Sequence, residues 1–428
     1  MTRAPHLPST YLETAEPGPA APPLDGDRKV SVAIVGGGYT GLSTALHLAE
    51  RGVDVALVEA NEIGWGCSGR NGGQVNPGLK PYPDDIERDY GPELGRRMIA
   101  FSYAAPDFVF DLIAKHGIAC EAERRGTIRA AINKPSAAGV ATLSAQFAAR
   151  GMAHTVLDRR GVAEATGTPR YVAALFDPRG GAVNPLSYAR GLATAAIAAG
   201  ARLHAGTRAR KIVRNGSGWR VETATGTLSA DHVVIGTNGY TDDLWPGLRH
   251  TIVPVYSAIA ATEPLPQALR AAILPGRAVA YEVGWDTVYY RVSADGRLLM
   301  GGRGPQRPAR GVEDYHHLTA YAERLWPGLK GLAWTHFWWG QVAITADHYP
   351  HLHEPAPGLH IALGYNGRGV AMATAMGDLL SRRILGASIA EIELPVTESL
   401  KPIAFHGLWP IGVTARVIYG RLRDRLGL

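Results

Sequence analysis

The stretch Val30-Ser-Val-Ala-Ile-Val35-Gly36-Gly37-Gly38-Tyr39-Thr40-Gly41 decides how this chain folds, because it sets a G-x-G-x-x-G turn between an apolar strand and a helix. Gly36 permits the tight turn, Gly38 lets the backbone approach a pyrophosphate, and Gly41 lets the next helix lie close on the sheet. Tyr39 and Thr40 then stand at a helix N-terminus, where unpaired N–H groups and the helix dipole attract phosphate. Beyond the turn, Leu42, Ala45, Leu46 and Ala49 recur at helical spacing over residues 40–51, and Gly52 closes the helix. A second strand, Asp54-Val-Ala-Leu-Val58, runs into Glu59 and Ala60. Glu59 falls 18 residues past Gly41, where such a unit puts the carboxylate that accepts hydrogen bonds from a ribose. Strand, glycine turn, helix, strand and acid in that order specify a bound dinucleotide.

The rest of the composition narrows the class. At 428 residues the chain has room for two or three domains, and 46% hydrophobic residues with a mean hydropathy near zero indicate a globular protein. No apolar run reaches the about 18 residues of a membrane span, and the N-terminus lacks the apolar core of a signal peptide. Cys67 and Cys120 are the only cysteines, too few for a disulfide framework or a cysteine-rich metal centre, so a cytoplasmic location is expected. The net charge of +6 suits an anionic dinucleotide and an anionic substrate, but no basic tract with interleaved aromatics suggests nucleic acid. His348, His351, His353 and His360 lie in a Pro-rich context without Cys or acid partners, which reads as a solvated loop rather than a metal centre.

Along the chain, the Pro-, Ala- and Gly-rich residues 1–28 read as an extended arm draped over the surface. Residues 83–116 read as helix, with Ile86, Tyr90, Leu94, Met98 and Phe101 on one stripe, an interruption at Pro106 and a stop at Gly117. A helix over 185–199 precedes several short strands, and 246–335 alternates strand-like runs with one helical stretch near 320–325, which suggests a separate sheet. The strand 359–363, the loop Gly364-Tyr-Asn-Gly-Arg-Gly369 and a helix over 370–385 repeat the opening logic. Between Asn61 and Gln74 lies a segment too glycine-rich for a core and too polar to bury without partners, so it is expected to line a ligand.

Here the residues resemble a known superfamily. Gly36-Gly-Gly-Tyr-Thr-Gly-Leu-Ser-Thr-Ala-Leu-His-Leu-Ala-Glu50, Ser68-Gly-Arg-Asn-Gly-Gly-Gln74, Gly180-Gly-Ala-Val-Asn-Pro185, Thr237-Asn-Gly-Tyr240, Tyr289-Tyr-Arg291 and Gly364-Tyr-Asn-Gly-Arg-Gly-Val370 are similar to segments of the flavin-dependent D-amino-acid oxidase, glycine oxidase and sarcosine oxidase superfamily. The resemblance is strongest to the gamma-glutamylputrescine oxidoreductases. It implies FAD, held noncovalently, since the cysteine that tethers flavin in some members lies elsewhere than Cys67. The ADP half is then expected on Gly36, Gly38, Tyr39, Thr40, Gly41, Glu59 and Ala60, with a backbone contact to adenine at Ala209 and further contacts at Thr237 and Asn238. The isoalloxazine is expected between Ser68, Arg70, Asn71, Gly72, Gly73 and Gln74 on one side and Gly364, Asn366, Gly367, Arg368, Gly369 and Val370 on the other. Negative charge developing at flavin N1 and O2 would be met by N–H groups at Gly367, Gly369 and Val370.

In glycine- and D-amino-acid-type relatives an arginine binds the substrate carboxylate; by spacing, Val342 takes its place here. The resemblance therefore implies an amine substrate of the gamma-glutamylputrescine type. Tyr289, Tyr290, Trp338 and Trp339 could wall the pocket or simply pack in a core. Glu282 could steer the substrate ammonium or be a solvated strand-end carboxylate. Hydride transfer from the amine-bearing carbon would give an imine, then aldehyde and ammonia, with O2 or another electron acceptor closing the cycle. Three alternatives remain open: oxidation of a secondary or N-substituted amino acid, with Arg70, Arg303 or Arg368 holding its carboxylate; a dehydrogenase feeding a quinone or protein; and a flavin-bearing non-catalytic subunit of a hetero-oligomeric oxidase.

The implied fold is a discontinuous α/β flavoprotein. Its Rossmann-like FAD-binding domain is expected from 29–85, 155–245 and 337–395, and its mixed-sheet substrate domain from 86–154 and 246–336. In 396–428, Ile418, Leu422 and Leu426 share one face with arginines opposite. Docking on the body is expected there, in preference to a membrane-surface helix.

Overall fold

The computed structural model describes residues 4–285 and 287–426; the tips of the expected arm and C-terminal segment, 1–3 and 427–428, lie outside it, as does Asp286. The opening strand, Arg28–Val35, is buried along its second half and is an inner strand of a nine-stranded sheet. It pairs in parallel with Val55–Val58 on one side and Thr227–Ile235 on the other, so Val35, Val58 and Ile235 end level with one another. Leu359–Leu363 and Arg202–His204 extend the parallel register outward. The carboxyl ends of these strands thus share one edge, where open α/β sheets bind their ligands.

Two helices begin at that edge. Tyr39–Ala49 is buried at every residue because Gly369–Ile384 and Pro185–Ala198 pack around it. The Ser43 hydroxyl donates to the Thr374 carbonyl at 2.7 Å, and a Cβ on Gly377 would stand 2.4 Å from the Ser43 Cβ. The missing side chain at Gly377 lets the two helices lie side by side, with both N-termini opening on the same crevice.

The second sheet has eight strands, in the order Trp334–Ile344, Val253–Pro264, Arg297–Arg303, Tyr289–Val292, Val279–Val283, Thr127–Ala131, Ala173–Asp177 and Thr155–Leu157. Three of these strands depart from the expected division, since 155–157, 173–177 and 334–344 pair here and not in the nucleotide-binding sheet. Period-two patterning marks a strand but not its partner, which long-range pairing fixes.

Three other expectations change. The helix Pro83–His116 kinks at Gly91, where φ is 75°, and runs through Pro106. Pro106 would have donated to the carbonyl of Ser102, and that oxygen instead accepts the N–H of Gly78 at 2.9 Å. Gly117 ends the helix in the left-handed conformation, as its sequence position suggests. The N-terminal arm does not lie on the surface throughout. Thr10–Thr14 forms a short helix, and Tyr11 and Leu24 are fully buried. Finally, the strand expected from Ala209 begins at Lys211, leaving Ala209 in the irregular segment before it.

The C-terminal helix Trp409–Leu426 docks on the body. Gly420 packs against Trp285, and the Asp424 carboxylate accepts the Trp285 N–H at 3.0 Å. Its outer face keeps Ile411, Ile418 and Leu422 exposed.

Candidate active site

A cavity of about 1040 Å³ starts at the sheet edge and runs between the two sheets to the C-terminal helix. It lies at the upper end of the ~300–1,000 Å³ usual for small-molecule sites. Its inner end is built by the first glycine turn. Gly36 has φ of 114°, and a Cβ on Gly41 would come 2.0 Å from the Gly36 carbonyl oxygen, so both positions require glycine. Gly36, Gly38, Tyr39 and Thr40 line the cavity; Gly41 does not, and serves helix–strand packing.

Glu59 sits at the carboxyl end of the second strand. Its carboxylate accepts N–H groups from Gly37 and Asn61, each at 2.8 Å, and burial pushes its pKa up against these bonds. Each oxygen keeps a further lone pair for a ribose hydroxyl. Ala60, Ala209, Thr237 and Asn238 line the same end.

The loop after Glu59 is held by its own residues. The Ser68 hydroxyl accepts the Tyr39 N–H at 3.0 Å, and the Asn71 amide donates to the carbonyls of Cys67 and Ser68 while accepting the Gly73 N–H. Gln74 reaches across to donate to the Ala280 and Tyr290 carbonyls of the second sheet. Gly73 lies behind the cavity wall; Ser68, Arg70, Asn71, Gly72 and Gln74 form it.

Three further residues, Tyr11, Trp338 and Arg291, donate to carbonyls of this loop, and none of these roles could be read from the sequence. Tyr11, from the N-terminal arm, donates to the Asn71 carbonyl at 2.8 Å, and its ring meets Trp338 edge-on at 5.3 Å. The Trp338 indole in turn donates to the Arg70 carbonyl at 2.8 Å. Arg291 donates to the Gly72 carbonyl at 2.7 Å from a buried position. Tyr289 presses its ring on Gly72 and Gly301 and hydrogen-bonds Ser257 at 2.9 Å. Burial holds its phenol well above the ordinary range.

The second glycine loop faces the first. Thr40 and Tyr365 hydroxyls meet at 2.6 Å, tying the two together. Asn238 accepts the Gly364 N–H at 2.9 Å, and Asn366, in the left-handed region at φ 52°, accepts the Thr345 N–H at 3.0 Å. Gly364 is behind the wall, whereas Asn366, Gly367, Arg368, Gly369 and Val370 line it. The helix starting at Gly369 therefore directs its leading N–H groups into the cavity. Arg368 is engaged with the Pro77 carbonyl and the Tyr281 hydroxyl, both at 2.9 Å.

Two expected substrate contacts lie elsewhere. Glu282 is 4% exposed and accepts hydrogen bonds from Tyr171 at 2.9 Å and Tyr321 at 2.6 Å inside the second core. Its neighbours Tyr281 and Val283 line the cavity instead, as strand alternation demands. Trp339 packs against Tyr256 at 5.2 Å and is not a lining residue, while Val342 is. The histidines are also less solvated than expected. His353 and His360 are buried, with partners in Thr397 and Glu354, and His351 pairs with Asp347. Among the described residues no three metal-ligating side chains converge.

The residues present fit FAD on chemical grounds. Arg70 is 4% exposed, yet its Nε and Nη2 atoms have no hydrogen-bond partner. Buried donors left unpaired cost about 1–3 kcal/mol each, so this guanidinium calls for an acceptor in the cavity. Trp65 stacks on it at 4.2 Å, and burial lowers its pKa. Beside it, burial pushes the Cys67 thiol up to about 11, which keeps it protonated.

Comparison with known proteins agrees. A family of FAD-dependent oxidoreductases, DAO, matches residues 31–383. A probable oxidoreductase, OrdL, from Rhizobium meliloti is 34% identical over 93% of this chain and 92% of its own. The gamma-glutamylputrescine oxidoreductase of Escherichia coli is 30% identical over 99% of each chain. Among solved structures, glycine oxidase from Geobacillus kaustophilus superimposes with a TM-score of 0.72 at 23% identity, over 87% of this chain and 98% of that one. The match spans the first glycine turn, Glu59 and the second glycine loop, and this chain is an FAD-dependent oxidoreductase of the DAO family.

Proposed function

We propose that this protein oxidises the C–N bond of a primary amine of the gamma-glutamylputrescine type, giving an imine that water converts to an aldehyde and ammonia. The observation that carries the reading is Val342, which offers an isopropyl group to the cavity where an enzyme of free α-amino acids would need an arginine. The full-length likeness to an enzyme of gamma-glutamylputrescine supports it.

When bound, FAD would supply the acceptor for the hydride, which carries both electrons, with O2 or another acceptor as the final oxidant. The remaining work belongs to the chain. Gly36, Gly38, Tyr39 and Thr40 would hold the pyrophosphate, Glu59 the ribose, and Ala60, Ala209, Thr237 and Asn238 the adenosine end. Ser68 to Gln74 and Asn366 to Val370 would flank the ring system, with N–H groups of Gly367, Gly369 and Val370 stabilising negative charge on its far side. Noncovalent binding is part of the proposal, since Cys67, which lines the cavity, is held as a thiol and Cys120 does not line it.

A substrate ammonium with a pKa near ~10.4 must lose its proton before C–H cleavage. Val255, Ile259, Val342 and the uncharged Tyr289 line the cavity and favour the neutral amine. Assay of the holoenzyme with gamma-glutamylputrescine, putrescine, sarcosine, glycine and D-alanine, following ammonia, methylamine and H2O2, tests the reading. Ammonia from the gamma-glutamyl amine is the expected product. Turnover of sarcosine alone, with methylamine released, would replace the reading with secondary-amine oxidation.

A further inference from the structure

The outer part of the cavity carries positive charge that the oxidation itself does not need. Lys80, in the loop before Pro83–His116, and Arg416, on the C-terminal helix, both line it, together with Arg303 and Arg368. Lys80 is exposed to the water of the cleft. Crowding by the surrounding protein and repulsion from Arg368, Arg303, Arg129 and Arg416 lower its ammonium. Among the described residues it has no ion pair with a carboxylate. Arg416 has Trp285 as its neighbour, 4.9 Å from guanidinium to ring, and no ion pair among the described residues. Among the described residues, Asp424 lines this part of the cavity and accepts the Trp285 N–H, and Asp347 acts on His348 together with Lys80 and Arg416.

Lys80 and Arg416 thus present two like charges, neither in an ion pair among the described residues, to the mouth of one cavity, where an anion would be attracted to both. Lys80 and Arg416 themselves belong to neither glycine loop, although Arg368 of the second loop is beside Lys80. We propose that Lys80 and Arg416 form an anion subsite that binds the carboxylate of the substrate at a distance from the reacting C–N bond, with the C-terminal helix supplying half of it. This rests on the reading of the protein as an amine oxidase and narrows its substrates to amines that carry a remote carboxylate. It also explains how a pocket with valine at position 342 can still select an amino-acid derivative.

The test uses the FAD-loaded protein and glutarate, a dicarboxylate without an amine, titrated against the visible spectrum of the oxidised flavin. Lys80→Met and Arg416→Met should each weaken glutarate roughly tenfold or more, as expected for loss of a charge-assisted hydrogen bond. Lys80→Arg should retain affinity within a few fold, which separates charge from folding. Arg160→Met, on an exposed helix, is the control. Glutarate affinity should exceed that of chloride at equal ionic strength; binding abolished by chloride to the same extent in the wild type and both Met variants would mean a diffuse ionic atmosphere and overturn the subsite. Equal glutarate affinity in all variants would overturn it too. A parallel anaerobic titration with gamma-glutamylputrescine and its carboxyl-amidated form separates the two claims. Bleaching by gamma-glutamylputrescine with no change in either Met variant retires the subsite alone. Glutarate binding that depends on both cations, without bleaching by any primary amine, retires the amine reading alone.

Discussion

Removing the Tyr11 side chain should loosen FAD although residue 11 lies outside the nucleotide-binding sheet. Tyr11 and Trp338 pair edge-on and hydrogen-bond the carbonyls of Asn71 and Arg70, two consecutive peptides of the loop proposed to flank the flavin. Tyr11→Phe removes one bond and leaves the Asn71 carbonyl unpaired, at a cost of about 1–3 kcal/mol. If only the loop ordered for FAD feels that cost, the dissociation constant rises roughly 5- to 150-fold. Tyr11→Ala adds the loss of a fully buried ring, about 3–5 kcal/mol for the fold as a whole. The assay is equilibrium titration of the apoprotein with FAD, followed by quenching of flavin fluorescence, alongside urea unfolding of the apoprotein. FAD affinity within twofold of wild type in both variants, whatever happens to stability, would refute the idea that the arm braces the loop.

Other consequences can be checked separately. Gly377→Val should prevent the two cofactor helices from closing, since even its Cβ meets Ser43 at 2.4 Å, and the variant should be recovered without flavin. Burial lowers His353 from 6.5 to about 4, so its neutral form is the one folding prefers; its contribution is complete above pH 6.5 and is lost as pH falls toward 4. That loss is worth at most about 3 kcal/mol, and His353→Gln should flatten the corresponding slope in urea midpoints measured from pH 7 to 4. With the Cys67 thiol raised to about 11, alkylation by iodoacetamide should stay slow at pH 8 and accelerate as pH approaches 11, and acid precipitation should release all flavin into the supernatant.

Much of the nucleotide-binding half was legible because its information is local. The glycine turn, helix, strand and acid fall within about thirty residues and leave few alternative geometries. What escaped notice depends on distant partners. Tyr11 meets Asn71 across 60 residues and Arg291 meets Gly72 across 219, and nothing in either local sequence names the partner. Pro106 continues a helix because Gly78 takes the carbonyl it leaves free. Strand membership of 173–177 and 334–344 likewise follows from pairing rather than pattern. Glu282 is a different case. Tyr281 pairs opposite Tyr289, so the two share a face and Glu282 takes the other, a parity visible once the hairpin register is known. Lys80 and Arg416 lie more than 300 positions apart and line one cavity only because the C-terminal helix folds back over it.

The most direct test of the account is a single-turnover experiment under anaerobic conditions, mixing FAD-loaded protein with gamma-glutamylputrescine and following flavin absorbance while the product is trapped as an aldehyde. Rapid bleaching, one aldehyde and one ammonia per flavin, and no bleaching when the terminal amine is acetylated are the predicted result. Persistent flavin colour with gamma-glutamylputrescine, alongside full bleaching by sarcosine or by D-alanine, would contradict it.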